Sequence, residues 1–284
     1  MDNLALGKVG TLTRTYTYAY LTDSVIETLY PQSGNATFVT KKAYQYNKYK
    51  QLSRMAGKNS DGKNMLTEYV YAATLPEYQW MEAAHILSPI SVKKEMAGDS
   101  FLKEVYQYAG PIPYTKQIST DRNGYIQTHC TVDAIDGYGN PIYLYEGAMP
   151  VVLIWGAEGQ RLISRIENAT LSQVEETLGM SVKDFSSSDI SSIDFRRIEN
   201  IRHKIYGAHF HIYKYRDDLR LLSETNPDGT TVFYQYDLMN RLIENYVMEL
   251  KDGEYRKRIL NMYDYNYYYT SKTENGIESI GKGE

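Results

Sequence analysis

Residues 226–242 read Asn226-Pro227-Asp228-Gly229-Thr230-Thr231-Val232-Phe233-Tyr234-Gln235-Tyr236-Asp237-Leu238-Met239-Asn240-Arg241-Leu242. A turn sequence, Asp-Gly, precedes a short apolar run that ends in Tyr-x-Tyr-Asp. Tyrosines two positions apart lie on the same face of a β-strand, and Asp-Gly supplies the positive φ angles of a tight turn. The stretch therefore predicts a β-hairpin.

The same plan occurs earlier in the chain, at residues 44–52, which read Tyr44-Gln45-Tyr46-Asn47-Lys48-Tyr49-Lys50-Gln51-Leu52. Both copies follow Tyr-x-Tyr-Asn/Asp, three linking residues, a polar residue and Leu. Further Tyr-x-Tyr pairs are Tyr16/Tyr18/Tyr20, Tyr69/Tyr71, Tyr106/Tyr108, Tyr143/Tyr145, Tyr213/Tyr215 and Tyr263/Tyr265/Tyr267. Self-similarity of this kind is typical of repeat architectures.

Turn sequences separate the tyrosine pairs, at Asp61-Gly62, Asn123-Gly124, Asp136-Gly137, Asp228-Gly229 and Asp252-Gly253. They indicate antiparallel hairpins in series. Strands are predicted at 12–20, 37–47, 64–73, 90–97, 101–109, 114–120, 124–132, 141–146, 150–156, 161–167, 208–215, 219–225, 230–237, 241–249 and 255–267. The predicted fold class is mainly β: antiparallel hairpin repeats that form an extended, curled sheet or partial shell, with a small helical insert.

The helical insert is predicted over residues 170–207. Thr170 to Gln173 match a capping box, and Gly179 marks the end of a first helix. A second, amphipathic helix is predicted over 189–206, ending before Gly207. We expect its stripe of isoleucines to pack on the sheet, and a membrane-surface or partner helix is the alternative. The stripe comprises Ile190, Ile193, Ile198, Ile201 and Ile205.

Composition narrows the classes of function. The 284 residues include 29 Tyr against 6 Phe and 2 Trp, and the net charge is −4. Tyrosine suits large, half-exposed sheets, because its ring packs while its hydroxyl reaches water or backbone. Without a block of Lys and Arg, nucleic acid is not an expected partner. The only cysteine, Cys130, excludes an internal disulfide, and no apolar run approaches the length of a membrane span.

Residues 226–242 resemble a repeat of the Rhs/YD family, which runs approximately Asp-Pro-x-Gly, a short strand, Tyr-x-Tyr-Asp, two residues, Gly-Arg-Leu. Asn226 stands for the first Asp and Asn240 for the Gly, and asparagine readily adopts the left-handed geometry. Residues 151–170 resemble large bacterial YD-repeat proteins of the cell envelope. The resemblance implies a sheet that curls into a shell, with structural motif residues Asn226, Pro227, Asp228, Gly229, Tyr234, Tyr236, Asp237, Asn240, Arg241 and Leu242.

Toxin-bearing members of that family end in a motif that supports self-cleavage, and no such motif is found in this sequence. The chain is expected to divide into degenerate hairpin repeats at 1–169, the helical insert at 170–207, YD-repeat hairpins at 208–269 and a flexible tail at 270–284. Residues 1–10 lack the features of a signal peptide. If the full-length protein is exported, the resemblance implies the cell envelope or secretion, with the signal upstream.

No catalytic, cofactor-binding or metal site is predicted. His209 and His211 form a minimal His-x-His pair, but no third ligand is fixed in the sequence. Cys130 follows His129 directly, so on a strand the two side chains would point to opposite faces. Asp133, Asp136 and Asn140 could hold Ca²⁺, although turn formation explains them without an ion.

The predicted function is a non-enzymatic structural or interaction module, a section of a larger YD-repeat scaffold. Its expected partners are other YD-repeat segments or cell-surface proteins, with glycans as a further candidate. The alternative is a carbohydrate-binding module that uses exposed tyrosines, and an enzyme is a third hypothesis. Tyrosines gathered in one concave groove would favour sugar binding, whereas tyrosines dispersed over the sheet would favour a scaffold. The carboxylate of Asp237 is expected to accept hydrogen bonds from backbone N–H groups of the following turn.

Overall fold

The computed structural model describes residues 20–29, 38–59, 62–265, 268–273 and 276–282. Its main element is an open antiparallel sheet of 16 strands whose spatial order follows the chain order from β1 to β16. The prediction of a mainly β protein built from antiparallel hairpins is therefore confirmed. The predicted strand over 12–20 lies almost entirely outside the described residues.

The strands of this sheet are β1 (Ser24–Leu29), β2 (Phe38–Tyr46), β3 (Leu52–Lys58), β4 (Asn64–Tyr71), β5 (Ile90–Ala97), β6 (Ser100–Ala109), β7 (Tyr114–Arg122), β8 (Tyr125–Ile135), β9 (Pro141–Glu146), β10 (Met149–Gly156), β11 (Arg161–Glu167), β12 (His209–Tyr215), β13 (Leu221–Thr225), β14 (Thr231–Tyr236), β15 (Leu242–Lys251) and β16 (Glu254–Met262). A separate two-stranded sheet pairs β17 (Tyr268–Thr273) with β18 (Gly276–Lys282). The helices are α1 (Gln79–Ala83), α2 (Leu171–Leu178), α3 (Val182–Phe185) and α4 (Phe195–Lys204).

The chain divides into two compact units, and the first comprises Met1–Glu104 and Asp121–Gly124. Between β4 and β5 it contains two single 3₁₀ turns and α1, a helical segment that the sequence did not predict. This segment buries Ala72 and Met81 completely. Its Glu82 carboxylate forms an ion pair of 2.7 Å with Lys48 and also accepts a hydrogen bond from the Tyr49 hydroxyl. These two contacts of Glu82 attach the helical segment to the turn between β2 and β3.

The second unit comprises Val105–Thr120 and Tyr125–Glu284, and its core lies on both faces of β10. Val152 and Ile154 face the helices, whereas Val151 and Leu153 pack with residues of β8 and β9 on the opposite face. Side chains alternate along a strand, so a strand covered on both faces needs a continuous apolar run. This arrangement explains the sequence Val151 to Ile154, all of which is buried.

The helical insert packs against the sheet of the second unit. Helix α2 begins with the predicted capping box: Thr170 Oγ1 accepts from the Gln173 N–H at 3.4 Å, and the Thr170 N–H donates to Gln173 Oε1 at 2.9 Å. Gly179 ends it with a φ of +73°. In α4, Ile198 and Ile201 are fully buried in a cluster that includes Phe210.

The prediction of a continuous helix over 189–206 is wrong at its start. Residues Ile190–Ser192 form a single 3₁₀ turn, and α4 begins only after Asp194. Asp194 Oδ1 accepts a hydrogen bond of 3.1 Å from the Arg196 N–H, as an N-cap residue does. The cap therefore fixes the first residue of the helix, although the isoleucine stripe extends further towards the N-terminus.

Three other strands also differ from the expectations. Strands β1 and β3 were not predicted, and the segment expected as a tail includes β18 and the end of β17. Strands β1, β3 and β18 contain no tyrosine. All three follow ordinary antiparallel pairing, β1 and β3 with β2 and β18 with β17.

Candidate functional site

A five-residue turn recurs in the hairpins. The first residue exchanges backbone hydrogen bonds with the rest of the turn: its N–H donates to the carbonyl of the fifth residue, and its carbonyl accepts from the N–H of the fourth. The fourth residue has a positive φ, as expected for a type I turn followed by a left-handed residue. Turns of this kind lie at 47–51, 136–140, 216–220, 226–230 and 237–241.

The fourth position of the turn explains how Asn240 can stand where the YD repeat has glycine. Gly229 has a φ of +88° and Asn240 has a φ of +66° at the equivalent position of the next turn. Lys50 and Leu219 also adopt positive φ there, at 63° and 64°. The turn geometry therefore persists where glycine is absent, and asparagine is the side chain that tolerates it best.

In the 47–51 and 237–241 turns, the side chain of the first residue accepts hydrogen bonds from the rest of the turn. Asp237 Oδ1 accepts from the Arg241 N–H at 2.9 Å, and Oδ2 accepts from Arg241 Nε at 2.7 Å. These bonds, the side-chain bond first, lower the pKa of Asp237 below its ordinary value. Asn47 uses its amide oxygen in the same way, accepting from the N–H groups of Tyr49 and Gln51 at 2.9 and 3.0 Å.

The second tyrosine of several Tyr-x-Tyr pairs links two neighbouring strands. Tyr236, at the end of β14, donates its hydroxyl to the carbonyl of Leu221 at the start of β13, at 2.9 Å. The same bond joins Tyr71 to Leu52 at 3.0 Å, Tyr215 to Leu162 at 2.9 Å and Tyr265 to Leu242 at 3.0 Å. In β10 the indole N–H of Trp155 takes this role, donating to the Pro141 carbonyl at 2.8 Å.

Three of these tyrosines each have an arginine guanidinium over the ring. The guanidinium carbons of Arg161, Arg220 and Arg241 lie 5.9, 5.9 and 4.7 Å from the ring centroids of Tyr215, Tyr236 and Tyr265. Each arginine directly precedes the leucine whose carbonyl accepts the hydroxyl. Each tyrosine thus contacts both residues of an Arg-Leu dipeptide at the start of a strand. Its ring contacts the arginine guanidinium, and its hydroxyl donates to the leucine carbonyl. We call this arrangement the Tyr–Arg-Leu clasp.

Arg-Leu dipeptides also occur at 161–162 and 220–221, whereas only the one at 241–242 belongs to the predicted repeat motif. Burial raises the pKa of Tyr215 to about 12. Burial also raises the pKa of Tyr236. The tyrosines of the clasp therefore serve as hydrogen-bond donors within the sheet.

The remaining motif residues lie in and around the 226–230 turn. Asp228 Oδ1 accepts from the Thr230 N–H at 2.8 Å, and this backbone bond is the main reason that the pKa of Asp228 is lowered. Pro227 occupies the second position of the turn. The Tyr234 hydroxyl donates to Glu224 at 3.3 Å, and Leu242 lies opposite Tyr236 across the β14–β15 pair.

Arg202 joins the helical insert to this turn, a contact that the sequence analysis missed. Its Nη2 donates to the carbonyl oxygens of Asn226 and Phe210, at 2.6 and 3.1 Å. The Asn226 carbonyl also accepts from the Gly229 N–H. Arg202 therefore attaches α4 to the 226–230 turn. The two residues are far apart in the sequence, so no local motif predicts this contact.

His209 and His211 both lie on β12. His209 Nδ1 lies 3.8 Å from Glu167, and His211 Nδ1 lies 3.8 Å from Glu224. Within the described part of the chain, no three His, Cys, Asp or Glu side chains are placed to hold a metal ion. Burial raises the pKa of Cys130.

The Asp136 carboxylate accepts hydrogen bonds from residues of its own turn. Asp136 Oδ1 accepts from the N–H groups of Tyr138 and Asn140 at 2.9 and 2.8 Å, and Oδ2 accepts from the Asn140 amide at 3.1 Å. These bonds match those of Asn47 and Asp237, so the residue acts as the first position of a turn.

Over the described residues, no helix is both long and apolar enough to cross a membrane.

Comparison with known proteins gives matches among solved structures alone, since no family model and no curated protein matches the chain. The crystal structure of TcdB2-TccC3-Cdc42 is similar at 10% identity and a TM-score of 0.43, covering 84% of this chain and 12% of that chain. The Photorhabdus luminescens Tc holotoxin pore with a TccC3 mutation is similar at 10% identity and a TM-score of 0.43, covering 85% of this chain and 12% of that chain. The chain thus spans 12% of the length of these matched chains.

Proposed function

We propose that the chain is a non-enzymatic structural or interaction module, a section of a larger YD-repeat scaffold that acts at the bacterial cell envelope or outside the cell. The Tyr–Arg-Leu clasp supports this proposal most directly. It uses the hydroxyl and the ring of each tyrosine inside the sheet, so these side chains connect strands and do not project towards a ligand.

The positions of the exposed tyrosines also favour a scaffold over a sugar-binding surface. Tyr125, Tyr138, Tyr206 and Tyr255 have exposed fractions of 74, 48, 103 and 72%, and they lie on four different segments of the second unit. Tyr263 and Tyr265, exposed at 43 and 41%, directly follow the strand that carries Tyr255. Tyr206 borders a polar cavity of about 510 Å³, and no second tyrosine of the described residues lines it. Sugar-binding sites stack several rings against one ligand, which needs aromatic residues gathered in one place.

The helical insert fits the same interpretation. A helix that binds a membrane surface must present its apolar face to lipid. In α4 that face is fully buried at Ile198 and Ile201. The insert therefore contributes to the core of the second unit, and Arg202 ties it to the repeat. The partners that this proposal implies are other YD-repeat segments or cell-surface proteins.

A glycan array combined with denaturant unfolding tests the proposal. We expect no saturable glycan binding by the parent chain, and a loss of stability on Tyr215→Phe or Tyr236→Phe. The double substitution Tyr125→Ala and Tyr255→Ala, at exposed rings, is the matched control and should leave stability nearly unchanged. Saturable binding of one glycan that the control variant abolishes would instead support the carbohydrate-binding alternative.

A further inference from the structure

The hairpin of β15 and β16 extends beyond the neighbouring strand. Strand β14 pairs with β15 only as far as Val232, which lies opposite Val247. From Met248 onwards, β15 pairs with β16 alone among the described residues. We call this two-stranded extension, residues 248–257, the arm. A hairpin of two strands is only marginally stable by itself in water, so the arm gains stability from whatever covers its faces.

The strand register gives the arm one charged face. Side chains of directly opposite residues lie on the same face of a hairpin. Glu249 lies opposite Arg256, and Lys251 lies opposite Glu254. Ion pairs join Arg256 to Glu254 and Arg258 to Glu249 on this face. A face of paired charges is well solvated, so it is suited to remain in water.

The other face of the arm is apolar and exposed. Leu250 lies directly opposite Tyr255, and Met248 lies opposite Lys257. The exposed fractions of Met248, Leu250 and Tyr255 are 42, 65 and 72%. Ile259, on the same face at the base of the arm, is 43% exposed. Large apolar side chains gathered on one face of a projecting hairpin are typical of an interaction surface.

The charge on this apolar face is neutralised within the chain. The face carries one charged side chain, Lys257, whose ammonium forms an ion pair with the Glu244 carboxylate. The same ammonium lies 4.3 Å from the centroid of the Tyr246 ring. The face therefore offers no unpaired charge to an ionic ligand. Two identical copies of it can meet without bringing unpaired like charges together, which would be costly.

The apolar face of the arm lies on the side of the sheet that the helical insert covers further along. Ile212 on β12 packs in the cluster that contains the isoleucines of α4. It lies opposite Thr225, and Thr225 lies opposite Thr231 on β14. Phe233, two positions later, stacks on the Tyr246 ring at 5.4 Å. This side is thus buried under the insert at β12 and exposed at the arm.

We propose that the apolar face of the arm packs against the same face of a second copy of this chain, in a two-fold symmetric dimer. The same patch then serves both partners, and two-fold dimers are the most common closed assembly. Leu250 and Tyr255 of both copies are covered, while the charged faces stay in water. Because the patch is small, the dimer is weak and depends on concentration. The dimer presupposes the proposed function as an interaction module and gives that module one definite partner.

Sedimentation velocity of the 284-residue chain, between about 5 and 500 µM, tests for this dimer. We expect a monomer at the lowest concentration and a shift towards the dimer mass as the concentration rises. Leu250→Lys places an unpaired ammonium from each copy in the interface and should weaken dimerisation by about tenfold or more. Ile126→Lys, at an apolar side chain of β8 that is 69% exposed, is the matched control and should dimerise as the parent does. Melting temperatures establish that both variants are folded.

Hydrogen–deuterium exchange locates the interface. We expect the amides of residues 248–257 to exchange more slowly at the highest concentration than at the lowest, and this difference to disappear in Leu250→Lys. A parent that stays monomeric throughout would overturn the dimer and leave the scaffold role standing, because the glycan array and Tyr236→Phe test that role separately. A dimer that folded Leu250→Lys retains would also overturn the proposal. Growth beyond the dimer would indicate edge-to-edge pairing of strands instead, and would contradict a closed two-fold assembly.

Discussion

The hydroxyl of Tyr236 donates a hydrogen bond of 2.9 Å to the backbone carbonyl of Leu221, the first residue of β13. The ring of Tyr236 lies 5.9 Å from the guanidinium carbon of Arg220, the residue before that leucine. The end of one strand is thereby attached to the start of its neighbour. Because the same contacts recur at Tyr215 and Tyr265, the clasp is a unit of the repeat and offers several sites for experiments.

Tyr236→Phe should destabilise the protein by about 1 kcal/mol, because it removes one hydrogen bond and keeps the ring. Tyr236→Ala should cost more, roughly 2 kcal/mol, since the half-buried ring also packs in the sheet. Urea unfolding followed by circular dichroism measures both changes. Tyr255→Phe, at a ring that is 72% exposed, is the control and should have little effect. An equal loss in Tyr236→Phe and Tyr255→Phe would show that the clasp bond does not stabilise the sheet.

Asp237→Asn should be tolerated better than Asp237→Ala. The amide oxygen can still accept the hydrogen bond from the Arg241 N–H, as Asn47 does in the equivalent turn. The asparagine variant loses the ion pair with Arg241, so a small destabilisation remains. Denaturant midpoints of the two variants provide the measurement. Equal and large losses for both variants would mean that the charge itself matters, contrary to a structural role in the turn.

Stability should fall on acidification in a way that depends on Asp237 and Asp228. The pKa of each carboxyl is lowered from its ordinary value of 3.8, for Asp237 by the side chain of Arg241 first and for Asp228 by the Thr230 backbone first. A carboxyl with a lowered folded pKa stabilises the protein above its unfolded value, and this contribution is lost as the pH falls through the folded value. Urea midpoints between about pH 5 and pH 2 should therefore decrease less in Asp237→Asn than in the parent. Parallel curves for the two proteins would contradict this assignment.

Gly229→Val should cost about 1–3 kcal/mol, because valine is strained at a φ of +88°. Gly229→Asn should cost less, since Asn240 already adopts the equivalent conformation in the next turn. Gly139→Ala is expected to be more damaging than Gly229→Ala, because a Cβ at Gly139 would lie 2.5 Å from the Ile112 side chain. Thermal melts of these variants test the order, which would be wrong if valine and asparagine at position 229 were equivalent.

Added zinc should not raise the melting temperature of the parent or of the double variant His209→Ala and His211→Ala. The two imidazoles lie nearest to different carboxylates, Glu167 and Glu224, so they do not converge with a third ligand in the described residues. A ligand that binds only the folded state would stabilise it by mass action. A rise of several degrees with zinc in the parent alone would reveal a metal site.

The first and second copies of the repeat show how much local sequence determines. Tyr46 lies opposite Leu52 just as Tyr236 lies opposite Leu242, and Asn47 bonds its turn as Asp237 does. Turn residues and period-two tyrosines act over a few positions, so most of the hairpins could be predicted from them. The capping box and Gly179 likewise predicted α2. Strand β1 and the helical segment around α1 lack those features and could not.

The sequence by itself thus determined the antiparallel hairpins, their turn geometry and the capped start of α2, because these depend on backbone preferences and on hydrogen bonds between residues close in the chain. That Tyr215 reaches Leu162 and that Arg202 binds the Asn226 carbonyl depends on the tertiary structure. Each of these contacts joins residues from different strands or helices. Their distances depend on strand order and register, which are set by the packing of the whole sheet and are not encoded in the spacing of any one motif.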